Sequence, residues 1–175
     1  ASAILTLSGA NTYTGTTTIS AGTLLATNTS GSATGTGTLS VGATGTLAGT
    51  GIINSTTTVN ATTSLHGAIT PGSGGVGTLT LQKQLTLGGT SANQYADLNF
   101  EIGTLSDVIA VTYSGTGSGL TINTGGAKVN VSRATGFGSG TYTLFDMSDA
   151  VSNFAGFSMG TTPAGTSGAT YNLSQ

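Results

Sequence analysis

Threonine, serine and glycine make up half of this 175-residue chain, with 37 Thr, 20 Ser and 30 Gly. Lys and Arg number three, Asp and Glu number five, cysteine is absent, and the first charged side chain is Lys83. So few cations exclude nucleic acid as a partner, because neutralising phosphates requires Lys and Arg. No apolar run approaches the ~18 residues of a membrane helix, so we expect no membrane insertion by this segment.

The chain is expected to fold despite its simple composition. Disordered segments combine low hydrophobicity with high net charge, whereas here the mean hydropathy is +0.21 and the net charge is −2. Leu, Ile, Val and Phe total 37 residues and are spread evenly along the sequence. This spread favours many thin core layers within one continuous domain, residues 1–175.

Short apolar segments, in which Leu, Ile or Val alternates with Thr or Ser, recur along the chain. This alternation is the period-two pattern of half-buried strands. Gly or Asn separates most of these segments and supplies the positive φ that sharp corners need. The best helical candidate, Asp146–Phe154, is interpreted as a loop. In chain order the predicted strands lie near 3–8, 16–20, 23–27, 37–41, 45–48, 52–60, 64–69, 76–81, 85–88, 95–102, 107–113, 118–123, 127–132, 141–146, 153–158 and 169–173.

Loose internal repetition distinguishes between β architectures. The triplet Gly-Thr-Leu begins at Gly22, Gly37, Gly45, Gly77 and Gly103. A recurring strand-plus-corner unit is typical of a β-solenoid, in which each coil buries a few aliphatic residues and leaves Thr and Ser outside. With ~20 residues per coil and ~4.8 Å per coil, about eight coils would form a rod about 40 Å long.

The segment Leu5–Leu24, with Asn-Thr-Tyr-Thr-Gly at its centre, resembles the autotransporter-associated β-strand repeat of bacterial passenger proteins. Later segments that are similar to such passengers are Gly37–Gly51, Ile69–Leu79, Ser106–Val111 and Gly140–Leu144. The resemblance implies a right-handed parallel β-helix that is exported and acts as a stalk or adhesin, extracellularly or on the bacterial cell surface. It implies no catalytic residues and no cofactor.

The acidic residues are few, and three polar residues of one predicted strand form the main candidate site. Asp97, Asn99 and Glu101 alternate with Leu98, Phe100 and Ile102, so the polar set should share the outer face. The two carboxylates lie ~13 Å apart along an extended strand, beyond the ~5–9.5 Å of glycosidase pairs, although a neighbouring coil would bring Asp107 closer. The set is a candidate Ca²⁺ site because its ligands are oxygens; the alternative is a solvated strand face.

Other side chains suggest structural roles. His66 has no second His, Cys or neighbouring acid and is interpreted as a polar residue on the solenoid wall. Aromatic residues concentrate late in the chain, at Phe137, Tyr142, Phe145, Phe154, Phe157 and Tyr171. They are expected to form a terminal cap or a thicker core, the alternative being a glycan-binding platform. We therefore divide the chain into a repeat-like part, 1–94, and a cap-like part, 95–175.

Three functions from different classes are compatible with the sequence. The first is a non-enzymatic, exported structural protein whose partner is a second copy of itself, added head to tail or by strand complementation, because open strand edges and low charge favour association. The second is an adhesin that binds glycans through a Thr-rich face. The third is a β-helical polysaccharide lyase, which requires acids clustered with Lys or Arg. Residues 1–82 offer no such cluster, so we expect no enzyme activity.

Overall fold

The computed structural model describes residues 3–72, 74–148 and 151–163. Apart from one turn of 3₁₀ helix at Phe154–Gly156, every regular element in these residues is a β-strand. The strands are β1 (Ile4–Leu7), β2 (Thr17–Ala26), β3 (Leu39–Gly49), β4 (Ile52–Ile53), β5 (Thr57–Val59), β6 (Ala68–Pro71), β7 (Thr78–Leu81), β8 (Leu85–Leu87), β9 (Ala96–Ile102), β10 (Val108–Val111), β11 (Leu120–Ile122), β12 (Ala127–Arg133), β13 (Phe145–Met147), β14 (Val151–Ser152) and β15 (Phe157–Met159).

These strands pair in three ladders, and every named strand pair is parallel. Face 1 runs β1, β2, β3, β6, β9, β12, β15; face 2 runs β2, β3, β5, β8, β11, β14; face 3 runs β4, β7, β10, β13. The long strands β2 and β3 contribute to faces 1 and 2 together. The chain thus coils repeatedly through the same faces, which confirms the predicted parallel β-solenoid.

The core is a stack of aliphatic layers inside the coils. Along β9 the burial alternates strictly, with Ala96, Leu98, Phe100 and Ile102 buried and the residues between them half-buried. The strand pairings place one inward position of each face 1 strand in a single row, which we call the aliphatic column. Its members are Leu5, Leu24, Leu47, Ile69, Leu98, Val129 and Met159.

The coils are not uniform, so the prediction of ~20 residues per coil fits the first coils and is wrong for the later ones. Leu39 pairs with Thr57, 18 residues further on, whereas Ile109 pairs with Phe145, 36 residues further on. The added residues lie at corners, outside the strands, where they add chain length without adding core. Within the described residues face 1 has seven strands, compared with the about eight coils that the sequence predicted.

Some predicted strand boundaries also change. The predicted pairs 16–20 with 23–27, and 37–41 with 45–48, each join into one strand, β2 and β3. The register between β2 and β3 shifts after Ile19, which pairs with Val41, and each of the two continuous strands serves two faces. The predicted strand 52–60 divides into β4 and β5, and 169–173 lies outside the described residues.

Aromatic rings thicken the core of the last coil. Phe145 packs edge-on against Phe100 of the preceding coil at 5.7 Å between ring centroids, and Phe157 lies 5.2 Å from Phe145 and 5.5 Å from Phe154. Phe137 and Tyr142 instead stack on each other at 6.4 Å, within the long connection between β12 and β13. Tyr171, the remaining predicted member, lies outside the described residues.

Candidate functional site

The predicted polar set lies on the outer surface of face 1. Asp97, Asn99 and Glu101 alternate along β9 with buried residues and are themselves half-buried, so they share one face as predicted. In β12 the positions directly beside them are Lys128, Asn130 and Ser132.

A hydrogen-bonded ladder of side chains runs across this surface from coil to coil. Asn99 donates its side-chain amide to Thr70 Oγ1 at 3.1 Å. Asn130 donates to Asn99 Oδ1 at 3.1 Å and to Asp97 Oδ1 at 2.9 Å. Asn130 Oδ1 in turn accepts from the backbone N–H of Thr161 at 2.9 Å. We call Thr70, Asn99, Asn130 and Thr161 the amide ladder, and it links four successive coils.

The amide ladder uses the oxygens that a calcium ion would need. Asp97 Oδ1 and Asn99 Oδ1 both accept from the Asn130 amide, so a cation would have to displace that donor. No group of three or more His, Cys, Asp or Glu side chains that could hold a metal occurs in the described residues. Asp97 and Asn99 thus take part in side-chain bonds between coils.

Asp107 is the one fully buried acid of the described residues, and sequence reasoning did not predict its role. Its Oδ1 accepts from the N–H of Gly77 and its Oδ2 from the N–H of Glu101, both at 2.7 Å. Burial raises the pKa of the Asp107 carboxyl group, the two backbone donors partly offset this rise, and the nearby Glu101 charge adds to it. The carboxylate thus fastens the corner before β7 to the end of β9.

A second stack of side chains lies at the start of the same strands. The rings of His66 and Tyr95 stack at 3.8 Å between centroids, and Lys128 Nζ lies 3.7 Å from the Tyr95 centroid on a third coil. His66 Nδ1 is also 3.0 Å from the backbone oxygen of Tyr95. His66 is therefore a bonded residue of the solenoid wall, as predicted. Its partners are an aromatic ring and a carbonyl group.

Two open grooves lie on the surface of the described residues. One groove of about 180 Å³ is lined by Thr70–Gly72, Asn99–Glu101 and Ser132 among others. A second, of about 340 Å³, is lined by Val76, Leu105 and Thr135 with their neighbours. Among the residues that line the two grooves, the one ionisable residue is Glu101, which lines the first groove. Neither groove brings together an acid and a base for proton transfer.

The first coil leaves part of the core exposed. Leu24 is 4% exposed in the aliphatic column, whereas Leu5, its in-register neighbour in β1, is 60% exposed. In the described residues β1 pairs on one side only, with β2. Leu5 is thus the most exposed of the seven members of the aliphatic column.

The face 2 surface carries a row of hydroxyl side chains. Strand pairings place Thr18, Ser40, Thr58, Thr86, Thr121 and Ser152 side by side on successive coils. Each is half-buried or exposed, while its neighbours in the strand point inward. We call this row the hydroxyl column; it is uncharged along its whole length.

The three ladders define a three-sided parallel β-solenoid, with an aliphatic interior and polar side-chain ladders outside. A family model for the passenger-associated transport repeat matches residues 2–26, the segment that contains β1 and β2. The chain thus carries an autotransporter passenger repeat, which confirms the resemblance drawn from Leu5–Leu24. No curated protein and no solved structure matches the chain. In the described residues no helix has the length and apolar character needed to cross a membrane.

Proposed function

We propose that this chain is a non-enzymatic, exported structural protein, a solenoid module that builds stalks or self-assembling filaments. The observation that carries the proposal is the aliphatic column, which runs without a break through the seven strands that face 1 has in the described residues. A core built in this way can be extended coil by coil, because each coil contacts its neighbours alone.

The hydrogen bonds that the acidic side chains accept support a mechanical role rather than a catalytic one. Both oxygens of Asp107 accept backbone N–H groups, and Asp97 accepts from Asn130. A lyase or hydrolase needs acids that face substrate beside a base or a cation. These two acids instead join coil to coil, which is what a load-bearing rod requires.

The repeat at residues 2–26 supports export, since it is a passenger-type repeat. The outer surface is compatible with the extracellular or cell-surface location proposed here. The outer surface carries hydroxyl and amide side chains, which water can hydrogen-bond, and few charged side chains.

Electron microscopy combined with light scattering over a concentration series tests the proposal. We expect rods at low concentration and longer rods or filaments as the concentration rises. A protein that stays monomeric at the highest accessible concentration would exclude self-assembly. The parent chain should have no activity on pectin-like polymers. If it has such an activity, and the activity is lost when Asp97, Glu101 and Asp107 are replaced together, the protein is an enzyme and the proposal is contradicted.

The hydroxyl column favours a second candidate, an adhesin that binds glycans. Sugars are bound by hydrogen bonds from regularly placed polar groups, and this column offers six hydroxyl groups in a row at about 4.8 Å intervals. Tyr95 does not supply an open aromatic platform, because His66 and Lys128 lie against its ring. The hydroxyl column is thus the surface on which this candidate rests.

A glycan array with two lysine variants tests this candidate. Glycan binding by the parent chain that is lost in Thr18→Lys and Thr58→Lys would support the adhesin. Thr63→Lys, in the exposed corner between β5 and β6, serves as the matched control. An array without any bound glycan would exclude the adhesin and leave the structural module.

A further inference from the structure

We infer that the hydroxyl column on face 2 binds the surface of ice. Its six members lie on six successive coils: Thr18, Ser40, Thr58, Thr86, Thr121 and Ser152. Ice binding is a further activity, beyond the structural role proposed above, and it requires no contact between copies of the chain. The ligand is a water lattice, and the binding surface is the outer side of strands that all lie within the described residues.

Face 2 is distinguished from the other two faces by its unbroken outward row of hydroxyl side chains. On face 1 the row that contains Thr23 and Thr46 also contains apolar and charged residues: Ile4, Ala68, Asp97 and Lys128. On face 3 the equivalent row consists of Ile52, Thr80, Ala110 and Asp146. Threonine is abundant throughout the chain, yet among the described strands it forms a continuous row with serine on face 2 alone.

Most hydroxyl groups of the column have no partner from the protein. Four members make no side-chain hydrogen bond within the described residues: Thr18, Thr58, Thr86 and Thr121. Ser40 differs, because its Oγ accepts from Asn60 Nδ2 at 2.9 Å. On face 1, by contrast, the amide ladder joins side chain to side chain from coil to coil. The hydroxyl groups of face 2 are therefore available to water.

The spacing of the column is close to a spacing between oxygen atoms in ice. Paired strands lie about 4.8 Å apart, so hydroxyl groups in the same rotamer repeat at that distance along the column. This distance is too long for a direct hydrogen bond between neighbouring hydroxyl groups. A water molecule that bonds two oxygens at about 2.75 Å each, at the tetrahedral angle, holds those oxygens about 4.5 Å apart. Waters that bridge successive hydroxyl groups therefore stand nearly as they do in the ice lattice.

A second, shorter row of threonines runs beside the column on the first three coils that contribute to it. Thr16, Thr38 and Thr56 are exposed, and each lies two residues before a member of the column. Backbone bonds from Thr17 N–H to Thr38 O and from Leu39 N–H to Thr56 O place the three side by side. The hydroxyl groups of Thr16 and Thr38 also bond to each other at 3.0 Å. The two rows together offer hydroxyl groups in two directions, as contact with a lattice requires.

The strands of face 2 carry neither charge nor flexible side chains at the column. No charged residue occurs in β2, β3, β5, β8, β11 or β14. A charged group would have to lose its hydration shell against the crystal, which is costly. Threonine is β-branched and has few rotamers, so the hydroxyl groups are ordered before ice is bound and little side-chain entropy is lost on binding.

Slow growth of an ice crystal in a dilute solution of the protein tests the inference, with ice itself as the probe. The measurement is the ratio of protein in the ice to protein in the remaining liquid. We expect the parent chain to be retained in the ice. Thr58→Lys and Thr86→Lys should lose this retention, because a lysine ammonium group projects from the column and is strongly hydrated. Thr46→Lys is the matched control, since Thr46 is likewise half-buried and outward on a strand but lies on face 1, and it should be retained like the parent.

A second variant removes hydroxyl groups without adding charge. Combined Thr58→Val and Thr86→Val keeps the shape and the β-branching of both side chains, so the strands should form as before. Retention in ice should fall, because two positions of the column no longer bond water. Urea unfolding of every variant verifies that a loss of retention is not a loss of fold. Unchanged retention in the valine variant would overturn the role of the hydroxyl groups.

Each outcome separates ice binding from the proposed function. A parent chain that is expelled from the ice as completely as a non-binding control protein would overturn the inference and leave the structural module standing. An equal loss in Thr46→Lys and Thr58→Lys would overturn the assignment to the hydroxyl column. Glycan binding that is lost in Thr58→Lys, by a parent chain that ice expels, would overturn the inference in favour of the adhesin. Retention of a chain that stays monomeric would support the inference although self-assembly fails.

Discussion

Asn130 and Asn99 lie 31 residues apart in the chain and side by side on neighbouring coils, where the amide of Asn130 donates to Asn99 Oδ1 at 3.1 Å. The same amide also donates to Asp97, and Asn130 Oδ1 accepts from Thr161. One side chain thus satisfies groups of the coil before it and the coil after it. The solenoid surface is held together by polar bonds between coils, in addition to the backbone ladders.

Asn130→Ala should therefore lower the free energy of unfolding by about 1–3 kcal/mol, because it removes the bonds to half-buried Asp97 and Asn99 on one coil and to Thr161 on the next. Urea unfolding measures this change. Ser132→Ala on the same strand is the matched control, since Ser132 makes a single long bond of 3.4 Å to the backbone oxygen of Phe100. A loss for Ser132→Ala equal to that of Asn130→Ala would contradict the special role of the amide ladder.

Asp107→Asn should destabilise the chain at neutral pH by about 1–3 kcal/mol. The new amide group would turn an N–H₂ toward one of the two backbone N–H donors, Gly77 or Glu101, that now point at carboxylate oxygens. Asp146→Asn, at an exposed position of β13, should change stability by less than about 0.5 kcal/mol. Equal unfolding midpoints for the two variants would show that Asp107 does not fasten the corner.

The stability difference between the parent chain and Asp107→Asn should also depend on pH. The raised pKa means that folded Asp107 keeps its proton at pH values where the unfolded chain, near its ordinary 3.8, has lost it. Over that window the folded state binds more protons, so stability falls as the pH rises. A protonated carboxyl group can still accept from both N–H donors through its two oxygens, whereas an amide cannot.

Urea unfolding of both proteins between about pH 3 and pH 7 measures this linkage. The advantage of the parent chain over Asp107→Asn should be largest at the acid end and decrease toward neutral pH. The opposite slope would mean that the two backbone donors outweigh burial and lower the pKa of Asp107.

The strands were largely predictable because burial alternates locally. In β9 each buried residue is followed by a half-buried one, and that alternation is visible in the sequence as Ala-Asp-Leu-Asn-Phe-Glu-Ile. The length of a coil was not predictable, since corner segments carry no apolar period. Leu39 finds its partner after 18 residues and Ile109 after 36. Nothing in the two strand sequences encodes that difference.

The shared face of Asp97, Asn99 and Glu101 followed from the same alternation, but their partners did not. Contact between Asn99 and Asn130 depends on the intervening coil, whose length the sequence leaves open. The similar patterns Asp-Leu-Asn-Phe-Glu and Lys-Val-Asn-Val-Ser were the available signal, because they align Asn with Asn. Asp107 had no such signal. It lies buried after a tight corner in which Gly103 N–H donates to Leu105 O, and its own N–H donates to Glu101 O.

Gly49→Ala should be strongly destabilising, by about 2 kcal/mol or more, because Gly49 has φ 114° at the end of β3. An added Cβ would also clash with the carbonyl oxygen of Ala26, which accepts from Thr50 and Gly51 N–H at 3.0 Å each. Gly15→Ala is the control, since its added Cβ meets nothing within 4 Å. If both variants unfold at the same urea concentration, close packing of the coils at this corner is refuted.

Leu47→Ala and Leu5→Ala remove the same atoms from two positions of the aliphatic column. Leu47 is completely buried, so its truncation leaves a cavity between coils and should cost about 2–5 kcal/mol. Leu5 is 60% exposed in the single chain, so its truncation should cost less than about 1 kcal/mol in dilute solution. Urea unfolding measures both changes, and a cost for Leu5→Ala equal to that of Leu47→Ala would contradict the difference in burial between these two positions of the column.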